Sequence, residues 1–326
     1  MDTESVHSFI VVARERSISR AAQALHVAQP TLSARLRKLE DDLGVKLLAR
    51  SWDGIRLTTE GRYFLSYSLQ LFQELEESAA LLRQRETHGR DGPIEAVTNA
   101  RRLRVGVESF LYPALMRPII EGIREAAPDA ECRFVDKTSD LLVNLIDCEG
   151  LDLCVRYAGL EKPGLVSREL FEDRFVLLYP KDGEALIGED MAGAGRLLDQ
   201  PFVLFDKTPL LRFREVTQPA MMRVFGAVPE RFHIVSDVEV TLDIVARGFG
   251  FTFLPVVSIL QLLDDPLPFR VTLMDPELLR LPLCLTYSAS ARSPHPIGDL
   301  ADAVYARLRS SLDALYPKLA AASVRG

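Results

Sequence analysis

The chain has 326 residues, 48% hydrophobic and 26% charged, enough for two or three domains with a sizeable core. No apolar run approaches the roughly 18 residues of a membrane-spanning helix, and Met1-Asp2-Thr3-Glu4 lacks the basic and apolar regions of a secretory signal, so a cytoplasmic protein without membrane contact is expected. The net charge of −7 argues at first against a nucleic-acid partner, but six basic residues between Arg14 and Lys38 face a single acid, Glu15. A basic segment on an acidic chain suits a DNA contact, with a solvated helix face as the plainer alternative.

In chain order, Val6, Phe9, Ile10 and Ala13 fall at helical spacing. Ser17-Ile18-Ser19 offers cap residues for a short second helix carrying Ala21, Ala22 and Leu25. After His26-Val27-Ala28, Gln29-Pro30 opens a third helix buried through Leu32, Leu36, Leu39 and Leu43 and closed by Gly44. Two helices joined by a three-residue turn form a helix-turn-helix. Residues 45–58 then read as a hairpin turning at Asp53-Gly54, a wing whose tip is flanked by Arg50 and Arg56.

A long helix starts at Thr58-Thr59-Glu60-Gly61. Its positions Phe64, Ser68, Leu71, Leu75, Ser78 and Leu82 are spaced as a heptad seam, which predicts dimerisation through this helix. A polar linker follows to Arg102. From Leu103 strands and helices alternate, predicting an α/β region with a mostly parallel sheet and a ligand site at strand carboxyl ends. No GxSxG, GxxxxGK[ST] or HExxH occurs, and the five histidines are scattered, so an enzyme and a bound metal or cofactor are not expected. The four cysteines read as reduced thiols, with a Cys148–Cys154 redox pair as the alternative.

Residues 9–61, from Phe9-Ile-Val-Val-Ala-Arg-Glu-Arg-Ser-Ile-Ser-Arg-Ala-Ala through Val27-Ala-Gln-Pro-Thr-Leu-Ser to Leu57-Thr-Thr-Glu-Gly, resemble the head of LysR-type transcriptional regulators. Val235-Ser-Asp-Val-Glu-Val-Thr-Leu-Asp through Gly-Phe-Gly-Phe-Thr-Phe-Leu-Pro255 resembles a signature of that family's second lobe. The resemblance implies an α/β protein with an N-terminal winged helix-turn-helix, and a two-lobed effector domain like periplasmic solute-binding proteins, joined by a long linker helix. The expected divisions are a head at 1–60, a linker helix at 61–87, a hinge at 88–102, an effector domain at 103–315 and a tail at 316–326. Lobe I takes 103–158 and 268–315, lobe II takes 160–264, and crossovers are expected near 158–160 and 264–268. Ala28, Ala34 and Asp53 depart from the usual Ser, Arg and cation, so operator sequence does not carry over.

Within that frame Gln29, Pro30 and Thr31 are expected at base edges of double-stranded DNA. Arg20, Ser33, Arg35, Arg37, Arg50 and Arg56 are expected at phosphates or the minor groove, with Asp41 or Asp42 as competing partners for Arg37 and Lys38. An effector is expected between the lobes on Ser109, Phe110, Thr138, Ser139, Arg156, Phe205, Lys207 and Asp237, although Thr138, Ser139 and Asp237 could simply cap helices. Lys137, Arg156 and Lys207 lean the reading toward an organic anion. Homodimers through the linker helix, paired into tetramers, would set two recognition helices about 34 Å apart, with RNA polymerase as a candidate partner. The remaining alternatives are an α/β enzyme with a regulatory head and a DNA-binding protein without an effector.

Overall fold

A computed structural model describes residues 1–52, 54–88, 102–159, 161–181, 187, 191–206, 217–275, 280–289 and 295–325. The chain forms two compact units, Met1–Asn99 and Ala100–Gly326. The expected hinge at 88–102 lies almost wholly outside the described residues, as do Asp53 and Lys207 and the side chain of Arg50.

The first unit opens with α1 (Thr3–Glu15), α2 (Ile18–Ala24) and α3 (Gln29–Leu43). Local chemistry sets each boundary. Asp2 caps α1 by accepting from the Ser5 amide at 2.8 Å, and Ser17 caps α2 by accepting from the Arg20 amide at 3.3 Å. Gly44, at φ +71, ends α3. Phe9, Val12, Ala21, Leu32, Leu36 and Leu39 form the core that holds the three helices together. Strands β1 (Leu48–Ser51) and β2 (Gly54–Leu57) pair antiparallel as the wing.

Helix α4 (Thr59–His88) follows, and the predicted seam divides along it. Phe64 packs on the core of the first unit and Ser68 is buried, so neither faces a partner. Leu71, Leu75 and Leu82 remain exposed.

The second unit contains β3 (Leu103–Glu108), α5 (Tyr112–Ala126), β4 (Cys132–Lys137), α6 (Ser139–Asp147), β5 (Leu153–Tyr157) and β6 (Leu165–Pro180). Next come β7 (Phe202–Phe205), α7 (Gln218–Phe225), β8 (Phe232–Val235), α8 (Val238–Ala246) and β9 (Thr252–Pro255). The chain closes with β10 (Phe269–Leu273), β11 (Arg280–Ser288), α9 (Ile297–Asp313) and α10 (Leu315–Arg325). The sheet is mixed, correcting the mostly parallel expectation. Strand β3 pairs parallel with β4 and β5, and β7 with β8, whereas β11 and β6 bring in antiparallel ladders. Helices α5 and α9 pack so closely that a Cβ on Gly122 would lie 2.7 Å from the Val304 Cα.

Strand β6 carries the chain between the lobes. Its residues up to Arg174 pair with β11 beside β5, and from Phe175 onward it pairs with β9 and β10. The crossovers therefore fall at Arg174–Phe175 and between Leu273 and Arg280, later than the expected 158–160 and 264–268. A continuous strand makes the crossing because its pairing passes from β11 at Arg174 to β9 at Phe175 without a break. The expected tail at 316–326 is mostly the helix α10, with Leu315 and Leu319 buried in the lobe I core and Tyr316 Oη donating to the Glu172 carbonyl at 3.3 Å.

Candidate DNA-reading head and effector cleft

Helix α3 buries its leucines and turns Gln29, Pro30, Thr31, Ala34 and Arg37 to solvent, with Ser33 half-buried. Ala28 precedes it without a side-chain cap, and Ser19 Oγ donates to Gln29 Oε1 at 3.2 Å, tying the start of α3 to α2. A groove of about 350 Å³, lined by Ile18, Ser33, Arg37, Glu40, Ala49 and Ile55 among others, separates α3 from the wing.

The basic surplus is partly spent inside the head. Arg35 Nη2 lies 2.6 Å from Glu4, and Lys38 Nζ lies 2.8 Å from Asp2. The Lys38 hydrogen bond and those from Ser5 hold the Asp2 carboxyl well below the usual range, and Asp2 in turn raises Lys38. Arg20 donates to the Glu15 carbonyl and sits 3.8 Å from the Glu15 carboxylate. Arg37 Nε donates to the Ser33 carbonyl at 3.2 Å. The anticipated competition from Asp41 and Asp42 takes another form, since Asp42 pairs with the N-terminal ammonium and Lys38 with Asp2. Of the expected phosphate contacts, Arg37 therefore keeps its charge toward solvent, while Arg35 is held by its own domain.

Glu40 is a residue that sequence reasoning missed. Its Oε1 accepts from the Leu47 and Leu48 amides at 2.9 and 3.2 Å, and its Oε2 meets Lys46 Nζ at 2.7 Å. Burial pushes this carboxyl up, but the bonds from Lys46, Leu47 and Leu48 outweigh it and leave it below its ordinary value. The base of the wing is thereby fastened to α3. Its far strand is fastened to α1, because the Ile55 amide donates to the Arg16 carbonyl at 3.1 Å. Gly54, at φ +125, is required there, since a Cβ would stand 2.7 Å from that same oxygen.

In the second unit, expected cleft residues from both lobes do meet. The rings of Phe110 and Phe205 are tilted at 40° with centroids 4.4 Å apart, and Ser258 Oγ donates to the Phe110 carbonyl at 3.1 Å. The hydroxyls are already engaged. Ser109 Oγ donates to Asp136 at 2.5 Å, and Ser139 Oγ donates to Glu108 while accepting from the Tyr157 amide at 3.2 Å. Asp237 caps α8 by accepting from the Val240 amide at 2.9 Å. Thr138 precedes α6 with its hydroxyl making no cap.

Arg156 departs most from its expected role. It is fully buried, and its guanidinium donates to Thr286 Oγ1, the Tyr157 carbonyl, Glu161 and Ser167 Oγ at 3.0–3.3 Å. It ties β5 to β11 and β6 rather than offering a free charge to a ligand. All four cysteines are free, and burial pushes the Cys154 thiol up to about 12, which removes it from thiolate chemistry. Asp173, also missed, sits one residue before the last lobe I pair of β6. It accepts from Tyr157 Oη at 2.8 Å, and burial raises its carboxyl to about 7 against hydrogen bonds from Tyr157 and the amides of Arg174, Val256 and Val257.

Comparison with known proteins agrees with this layout. Residues 3–62 match the family described as bacterial regulatory helix-turn-helix protein, lysR family, and residues 97–309 match the LysR substrate binding domain. The probable cat1 operon transcriptional activator of Acinetobacter lwoffii is 26% identical, covering 90% of this chain and 92% of its own length. The regulator BenM of Acinetobacter baylyi is 23% identical over 86% of this chain and 88% of its own. A full-length OxyR variant from Pseudomonas aeruginosa shares the fold at a TM-score of 0.50 and 22% identity, covering 95% of this chain and all of that one. Among the described residues no helix is long and apolar enough to cross a membrane. The chain belongs to the LysR family of transcriptional regulators, not enzymes but DNA-binding proteins with an N-terminal helix-turn-helix and an effector-binding domain.

Proposed function

We propose that Gln29, Pro30 and Thr31 read base edges from the major groove while Ser33, Arg20, Arg37, Arg50 and Arg56 hold the phosphates or reach the minor groove. The observation that carries this reading is the exposed start of α3, with polar and small residues outward and three buried leucines inward. Gln can pair bidentately with adenine, and Pro or a Thr methyl can meet a thymine methyl. Arg35 contributes to the head mainly through Glu4. Selection of duplexes from a randomised library by the full chain tests the reading. Gln29→Ala should relax one base position, and Arg37→Ala should lower affinity evenly across sequences and reduce the salt slope by about one.

The exposed Leu71, Leu75 and Leu82 support a homodimer built on α4, with pairing of dimers into tetramers through the effector domains. The operating divisions are a head at 1–60, a linker helix at 61–87, a hinge at 88–102 and an effector domain at 103–315, extended here to α10. A cytoplasmic protein touching promoter DNA, with RNA polymerase nearby, is the setting this implies.

The effector is a small molecule held between Ser109, Phe110, Thr138 and Ser139 of one lobe and Phe205, Lys207 and Asp237 of the other. The Phe110–Phe205 contact supports this, because it is where the two walls meet. The Glu108 and Asp136 carboxylates on the two serines weigh against a simple organic anion. Titration calorimetry with panels of small carboxylates, amines and polyols decides the class, and no heat from any panel would leave a DNA-binding protein without an effector.

A further inference from the structure

We propose that Trp52 enters the DNA minor groove edge-on beside each recognition helix and biases the flanking base pairs toward A·T. Trp52 is the only tryptophan of the chain. At 94% exposure it is the most exposed large apolar residue among those described. It stands just beyond Ser51, whose pairing with Gly54 is the last of the wing.

Trp52 is not among the residues packed on the head's core. Leu48, Ile55 and Leu57 already supply the wing's packing on that core. The ribbon is also held at its base and near its turn. Glu40 takes the Leu47 and Leu48 amides, the Thr58 amide donates to the Leu47 carbonyl at 3.0 Å, and the Ile55 amide donates to the Arg16 carbonyl. Gly54 lies against that Arg16 oxygen with no room for a Cβ. The ribbon is thus anchored up to Gly54, against the end of α1, and Trp52 stands exposed beside that anchored end.

The occupant follows from continuity with the DNA-reading surface of the same unit. The inference rests on α3 lying in the major groove, which brings the wing over the adjacent minor groove. Arg56, exposed on β2, supplies positive charge in the same ribbon. The minor groove is about 6 Å wide, which admits a planar ring edge-on against the sugars. The indole N–H is a donor and never an acceptor. A·T pairs present only acceptors in that groove, whereas a G·C pair adds the guanine amino donor, which opposes an incoming N–H. Trp52 is thus a specificity-determining contact that reads A·T through one donor and adds apolar contact that salt does not screen.

The test selects duplexes from a randomised 60-base-pair library with the full chain, W52F and W52A. The wild type should enrich A·T pairs beside each half-site. W52F, which keeps a ring but loses the N–H, should retain the half-sites and lose that enrichment. W52A should bind the wild-type duplex about tenfold more weakly with an unchanged salt slope, as expected for a lost aromatic contact. Because the side chain is exposed, thermal melting of both variants should match the wild type. Trp52 emission reports the contact directly, since no other tryptophan contributes, and acrylamide quenching should fall when the selected duplex saturates the protein. Unchanged quenching, or a W52A selection identical to the wild type, overturns the role of Trp52 and leaves α3 in place. A wild-type selection that enriches no sequence overturns both together.

Discussion

The start of α3 and the wall of the cleft both display short polar side chains, but they leave them in opposite conditions. Gln29, Pro30 and Thr31 face solvent on a helix whose other side is fixed by Leu32, Leu36 and Leu39. Ser109 and Ser139 are buried and hydrogen-bonded to Asp136 and Glu108. A rigid polyanion docking on the first surface would have to displace only the exposed Ser19–Gln29 hydrogen bond. A ligand at the second would have to exchange existing hydrogen bonds for its own, and as the proposed effector it would act by its differential affinity for two lobe arrangements. The head is built as a fixed tool and the cleft as a balance.

The largest expected effect breaks the fixed tool at its linker. Replacing Leu71 and Leu75 together by Arg places charge on the exposed stripe of α4 without replacing Phe64, Leu65 or Phe72, which pack on the head. Light scattering should show smaller assemblies. DNA affinity should fall by about a hundredfold or more, because two linked heads gain an effective-concentration advantage that single heads lack. Assemblies of unchanged mass would remove α4 from the interface.

Next in size is Gly54→Ala. A Cβ 2.7 Å from the Arg16 carbonyl, at φ +125, forces the wing away from α1. The melting free energy of the head should drop by about 2 kcal/mol, with the DNA contact of the wing lost. A variant that melts and binds as the wild type would show that the wing yields easily.

These two predictions separate what was legible in the sequence from what was not. The head's signals are short-range. The Ser17 cap, Pro30 in the first turn of α3 and Gly44 at its end each act within a few residues, and each is visible as a residue type in place, whereas Gly54, expected in the wing's turn, instead pairs with Ser51 at the start of β2. The body's decisive pairings are long-range. Arg174 pairs with Arg280, and Phe175 with Pro255, so the crossover inside β6 leaves no local mark. Arg156 read as a ligand for an anion because it adds positive charge near the expected cleft with Lys137 and Lys207, and only its four partners reveal a structural role. Leu315 and Leu319, buried together at the edge of the expected tail, are four residues apart, as on one helix face.

The crossover gives a pH-dependent prediction. The Asp173 carboxyl is raised to about 7 in the folded chain, above its ordinary 3.8. Between these values the folded state holds a proton that the unfolded state releases. Stability from this group is therefore full below about pH 4 and declines as pH rises toward 7, by at most about 1.4 kcal/mol per pH unit. Asp173→Asn should flatten that decline in chemical denaturation, since an amide does not titrate in this range and its oxygen can still accept from Tyr157 Oη. An unchanged slope would place the titration elsewhere.

The smallest effect tests the head against its own electrostatics. Arg35 is a natural choice for a phosphate contact by position alone, yet its guanidinium meets Glu4 at 2.6 Å across two elements of one domain. The pair is partly exposed, so Arg35→Ala should cost the head only about 0.5 kcal/mol. Its effect on DNA should be equally modest, with a salt slope within error of the wild type, whereas Arg37→Ala should reduce that slope by about one. If Arg35→Ala instead lowers the slope as much as Arg37→Ala, the Glu4 pair opens on DNA, and the head is less of a fixed tool than its contacts imply.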